Sequence, residues 1–186
     1  FGLPDKYRPD EEYMVSRALG FDRDWNPHFT VYPAAQMYVQ HGVLRAYALL
    51  HGYKRNFREV YATDKQALAW LIARRTSAAF GTATIPATYL AAAQAFGPQA
   101  ALAAATIVTF STIHVRESKY ATTDAATTFW LTIALWLVLR VIRLGRVRDS
   151  LLAGLFTGFA IANKYPAGAA MVALGLAHFE ARWREG

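Results

Sequence analysis

From Thr76 to Ile113 the chain carries no Asp, Glu, Lys, Arg or His. One bilayer crossing takes about 20 apolar residues, so this run is far longer than a single span. It is interrupted once, at Phe96-Gly97-Pro98-Gln99, where Gly and Pro punctuate the pattern. Two spans joined by a tight turn are the simplest reading.

The remaining charge divides the chain. Residues 1–75 hold eleven Lys or Arg and eight Asp or Glu, whereas later charges gather in short clusters between apolar stretches. That division explains a mean hydropathy of only +0.13 in a chain that is 54% hydrophobic. The expected fold is all-α, a polytopic transmembrane helical bundle with amphipathic interfacial helices in a long extracytoplasmic loop. Residues 1–75 form that loop. Residues 76–186 form the membrane part, with spans at about 76–95, 99–113, 121–139, 151–163 and 166–178; the last two are short for full crossings. The chain opens in mid-pattern at Phe1-Gly2-Leu3-Pro4, so a fragment lacking at least one preceding span is expected. The absence of Cys argues against a disulfide framework or a thiolate metal site. No HExxH, EF-hand or phosphate-loop pattern is present. With spans present, the net charge of +7 points to lipid head groups rather than nucleic acid.

Within the loop, a short helix is expected over Pro9–Leu19, with Asp10, Glu11 and Glu12 in the first turn, where the helix dipole favours them. An aromatic, irregular stretch follows from Asp24 to Pro33. An interfacial helix is expected from Pro33 to Tyr53. Thr63 or Asp64 can cap a further helix that carries Trp70, Arg74 and Arg75 to the membrane boundary.

Counting crossings brings distant residues together. If residues 1–75 lie on one side, the spans return His114–Lys119 and Asn163–Pro166 to that side. They send Arg140, Arg143, Arg146, Arg148, Arg182 and Arg184 to the other. Asp10, Glu11, the segment His114–Asp124 and Lys164 then converge. The Arg-rich side reads as cytoplasmic by the positive-inside rule, although segment 1–75 is itself basic. Each converging residue has an ordinary reading too. Asp10 and Glu11 are first-turn acids, Thr122 or Thr123 a helix cap, His114 a hydrogen-bonded boundary residue, and Lys164 and Arg74 snorkelling cations. Against that, Asp124 begins a charge-free span, and an ionised carboxylate there needs water, a cation or a polar cavity.

Four stretches in order resemble the GT-C superfamily of polytopic glycosyltransferases, specifically the branch of dolichyl-phosphate-mannose protein mannosyltransferases and the lipid A aminoarabinose transferase. They are Pro9-Asp10-Glu11-Glu12-Tyr13, Asn26-Pro27-His28 through Tyr32-Pro33, His114 through Asp124, and Gly154 through Pro166. The resemblance implies a polyprenyl-phosphate-linked sugar as donor, a protein or glycolipid acceptor, and an extracytoplasmic active site in a bacterial inner or ER-type membrane. It implies Asp10 as the catalytic carboxylate with Glu11 beside it, and Asp124 as a second acidic site residue. It implies Lys164 as a contact to the donor phosphate, with Arg74, His28, Tyr32, His114 and Tyr165 on the substrate-binding surface. Some superfamily members use a divalent metal near the first acidic motif, and the residues here do not decide that. The aminoarabinose branch carries Glu-Lys before the Pro, where this chain has Val31-Tyr32-Pro33. The lysine contact of that branch is therefore absent.

The chemistry suits these residue types. A sugar phosphate has a good leaving group, so one carboxylate base and a cation suffice for an inverting transfer to a hydroxyl. The competing expectation is a transporter or flippase for a lipid-linked or small anionic substrate, in which Asp124 and Lys164 matter and Asp10 does not.

Overall fold

The computed structural model describes residues 8–21, 23–52 and 66–185. Among these every regular element is helical. Helix α1 (Pro9–Gly20) starts with Pro at its first position and three acids in its first turn. Its buried residues Glu11, Met14, Val15 and Ala18 form one stripe at helical spacing. Helix α2 is Ala35–Leu50, a little shorter than the expected Pro33–Tyr53. The caps expected at Thr63 or Asp64 lie outside the described residues.

Helix α3 (Gln66–Phe96) runs unbroken through position 75, so Trp70, Arg74 and the charge-free run share one helix. It ends at Gly97, whose φ of 90° only glycine adopts readily, and Pro98 opens α4 (Pro98–Phe110) at once. The apolar run then breaks again: Ser111 turns extended and its side chain accepts the His114 N–H, capping the short α5 (Thr112–Glu117). Helix α6 (Asp124–Leu144) ends at Gly145, left-handed at φ 61°, with its N–H returned to the Val141 carbonyl. Helix α7 (Val147–Asn163) stops at the extended Lys164. A 3₁₀ turn (Tyr165–Ala169) leads into α8 (Ala170–Glu185).

Helix α6 is central, packing against α3, α7 and α8, while α4 folds back on α3. Helices α1 and α2 lie at the end of the bundle where α6 begins, their core shared with the start of α3 through Val15, Ala18, Leu44, Trp70 and Ala121. The bundle is small inside and large outside. Ala101, Ala125, Ala126, Ala134, Ala153, Ala160 and Ala177 are buried, whereas Leu102, Ile107, Phe110, Leu151, Met171, Leu176 and Phe179 are exposed. Water would penalise that surface, and lipid does not. Within the helices, threonine hydroxyls return to carbonyls four residues back, as at Thr82, Thr84, Thr88 and Thr106. By length and hydropathy one helix among the described residues, Asp124–Leu144, is long and apolar enough to cross a membrane, and Pro98–Phe110 is a shorter apolar helix.

Helices α3 and α5 meet at a point that admits no side chain. A Cβ at Gly81 would collide with the Ser118 side chain, and the Gly81 carbonyl accepts a bond from His114 Nε2 at 3.0 Å. Gly81→Ala is expected to destabilise by roughly 1–3 kcal/mol, as overpacking does. Pairing it with Ser118→Gly should recover most of the loss in a thermal melt of the solubilised protein. Equal melting temperatures for Gly81→Ala and wild type would contradict the contact.

Candidate active site

Burial selects different roles for the two consecutive acids of α1. Glu11 is fully buried. Arg74 of α3 grips it with both arms, Nε to Oε1 and Nη2 to Oε2, each at 3.0 Å. The Ala121 N–H adds a third bond to Oε1 at 2.8 Å. Such a paired, multiply bonded carboxylate is stable while complete and costly if one partner is lost. The Ala121 carbonyl in turn accepts from the buried Gln40 of α2 at 3.3 Å. The peptide units around Ala121 are thus held from both sides, three residues before Asp124.

A second tie lies nearby. Arg8 reaches Glu117 at 2.8 Å and stacks over Tyr120 with its guanidinium carbon 4.8 Å from the ring centre. Arg116 also bonds Glu117, at 2.9 Å. The first turn of α1 and the loop before α6 are therefore joined at both ends.

Asp10 faces elsewhere. It is half-buried, and the Tyr32 hydroxyl lies 3.4 Å from its Oδ2. At the start of α6, Asp124 accepts from Lys164 Nζ at 2.6 Å, and both side chains remain about one-third exposed. The Asp124 hydrogen bond holds the Lys164 ammonium proton above the usual lysine range, against partial desolvation. The negative charge of Asp124, and beyond it that of Asp10, adds to it. Asp10 with Tyr32, and Asp124 with Lys164, are drawn from α1, the following loop, α6 and the α7 terminus. Exposed Tyr165 follows Lys164 directly.

Other sequence candidates are placed differently. Arg74 is engaged by Glu11, whereas Lys164 is a part-exposed cation paired with Asp124. His114 ties α5 to α3 through Gly81. His28, at φ 46°, is exposed, with Nε2 2.6 Å from Asp24 Oδ2. The Asn26 backbone N–H, then His28, hold the Asp24 carboxyl below its ordinary range. These residues line an open groove of about 680 Å³ with Glu12, Tyr13 and Arg17, on the face of α1 opposite Glu11. Among the described residues, no three of His, Asp and Glu gather as metal ligands.

Arg8, Glu117 and Gln40 were not assigned roles from the sequence. The one available signal was in α2, where Gln36 and Gln40 occupy the stripe otherwise filled by Met37, Leu44 and Ala48. Both glutamines are fully buried, and the Gln36 amide has no protein hydrogen-bond partner among the described residues.

A helical bundle with large apolar side chains outside, small ones inside, and carboxylates with a lysine at one end defines an integral-membrane protein with a polar site at one face. The family model for dolichyl-phosphate-mannose-protein mannosyltransferase matches residues 29–185, and the chain belongs to that family. Its members are membrane glycosyltransferases that draw on a polyprenyl-phosphate sugar. The matching model is that of the mannosyltransferases, and it does not extend to the aminoarabinose branch. It includes Asp124 and Lys164 and begins after Asp10. Comparison with curated proteins and with solved structures gives no match.

Two outcomes check this geometry. Arg74→Met strands the Glu11 carboxylate and should cost about 3–5 kcal/mol, while Glu11→Gln with Arg74→Met together should cost less than their sum. Additive losses in thermal melts would show that the two residues are not coupled. The second outcome concerns pH. Lys164 has a raised folded-state value, so the stability it contributes is complete below the ordinary lysine value of about 10.4 and is lost as pH rises through the raised value. The melting-temperature gap between wild type and Lys164→Met should hold through neutral pH and close only in strong alkali. A gap that closes near pH 8 would rule out the Asp124 pairing.

Proposed function

We propose that this chain carries the catalytic face of an inverting transferase that moves a sugar from a polyprenyl phosphate to a hydroxyl of a protein or glycolipid acceptor. One observation carries the reading: Asp10 with Tyr32 and Asp124 with Lys164 lie at the same end of the bundle, although the two acids are more than a hundred residues apart in the chain. Asp10 accepts the acceptor hydroxyl's proton while that oxygen attacks the anomeric carbon. The bond from that carbon to the phosphate oxygen breaks, and the polyprenyl phosphate leaves with the electron pair. Tyr32 orients Asp10. Lys164 is the cation that meets the donor phosphate, and Asp124 keeps it protonated and in place. Glu11 is a positioning residue in this scheme, holding the α1 turn that presents Asp10.

The site end is the extracytoplasmic one in this reading, supported by Arg140, Arg143, Arg146 and Arg148 at the opposite end of α6 and start of α7. Residues 1–75 then contribute the extracytoplasmic layer, and the later helices the membrane part.

The test uses full-length protein in nanodiscs with a panel of polyprenyl-phosphate sugars. Asp10→Asn should lower donor turnover by about 10²–10⁴-fold, the usual worth of a general base, with donor binding retained. Lys164→Met should chiefly weaken donor binding. Undiminished turnover in Asp10→Asn would remove Asp10 from the chemistry, and unchanged donor affinity in Lys164→Met would remove Lys164 from the phosphate.

A further inference from the structure

We propose that the groove between α6 and α7 binds an anionic phospholipid, with its headgroup at Arg148 and an acyl chain running toward Phe129. The groove encloses about 380 Å³. Helix α6 contributes Phe129, Ile133, Trp136 and Arg140, a single stripe at helical spacing, and α7 contributes Arg148, Leu152 and Phe156, a second stripe. Between Phe129 and Arg140 it extends roughly 16 Å along the helix. Its walls are aromatic and aliphatic, and its cations stand at one end.

The charges at that end are not equivalent. Arg140 is engaged by the buried Asp149, Nε to Oδ1 at 3.2 Å, and its guanidinium carbon lies 5.3 Å from the Trp136 ring centre. That pair is neutral overall and fixes the mouth of the groove. Arg148 lines the same mouth and is exposed, as is Arg146 beside it, and neither has an acidic partner among the described residues. The groove therefore offers an apolar channel that ends in uncompensated positive charge, the complement of an anionic amphiphile. A free anion would leave the channel unused, and an uncharged lipid would leave Arg148 unmatched. The sugar donor carries its phosphate to Lys164 at the other end of the bundle. Asp124 and Arg140 are about 24 Å apart along α6, on the scale of the ~30 Å hydrocarbon core, so the mouth sits at the headgroup level of the opposite leaflet.

The experiment uses full-length protein in phosphatidylcholine nanodiscs or matched mixed micelles, with phosphatidylglycerol added stepwise. Thermal stability and bound lipid by native mass spectrometry are read together. Wild type should show a saturable rise in melting temperature with retained phosphatidylglycerol. Arg148→Gln, at the surface, should lose both without a fall in baseline stability. Ile133→Trp, which fills the channel, should also lose both while keeping Arg148. Retention of the shift in either variant overturns the proposal. So does absence of a shift in wild type, or an equal shift produced by inorganic phosphate or by phosphatidylcholine alone.

Discussion

The Glu11 carboxylate is the constraint on which the rest of this structure depends. It is fully buried, and the bonds from Arg74 and the Ala121 N–H offset the cost of taking it out of water. Glu11 belongs to α1, and its partners to α3 and the loop before α6. One ion pair therefore fixes the surface layer to the bundle and sets the start of the central helix. Asp10 and Asp124 inherit their positions from it, the first as the neighbouring residue and the second three residues after Ala121.

The small-inside, large-outside packing extends that logic. Alanines at α6, α7 and α8 let backbones approach closely, and the bulk that a water-soluble core would bury is turned outward. Close approach leaves little slack, which is why Gly81 meets Ser118 with no room for a methyl group.

Much of this was legible in the sequence. Pro9 with three acids announced the start of α1, Gly97-Pro98 the turn between α3 and α4, and the apolar run from Asp124 the central helix. Counting crossings put Asp10, Glu11, the His114–Asp124 segment and Lys164 on one face; in the structure Glu11 bonds the Ala121 N–H and Asp124 pairs with Lys164. Identity of partners was not legible. Glu11 and Asp10 look alike in sequence, and only the distribution of neighbours around α1 separates a buried tie from an accessible acid. Arg74 likewise read as a phosphate ligand because nothing local to it reveals a carboxylate 63 positions away. One helix end was blurred: Ser111 breaks a helix that composition alone would extend.

The order of the two acids in α1 has a consequence for how this segment can vary. Neighbouring helical positions point about 100° apart, so one side chain faces the bundle while the next faces the site. The inward position requires the longer acid, because a single carboxylate must span to an arginine on one helix and a peptide N–H in the loop before α6. The outward position has no such reach to satisfy. Asp-Glu and Glu-Asp are therefore not synonyms here. A transposition that preserves charge, composition and helical propensity shortens the inner arm by one methylene, and natural drift at these two sites should be directional rather than free.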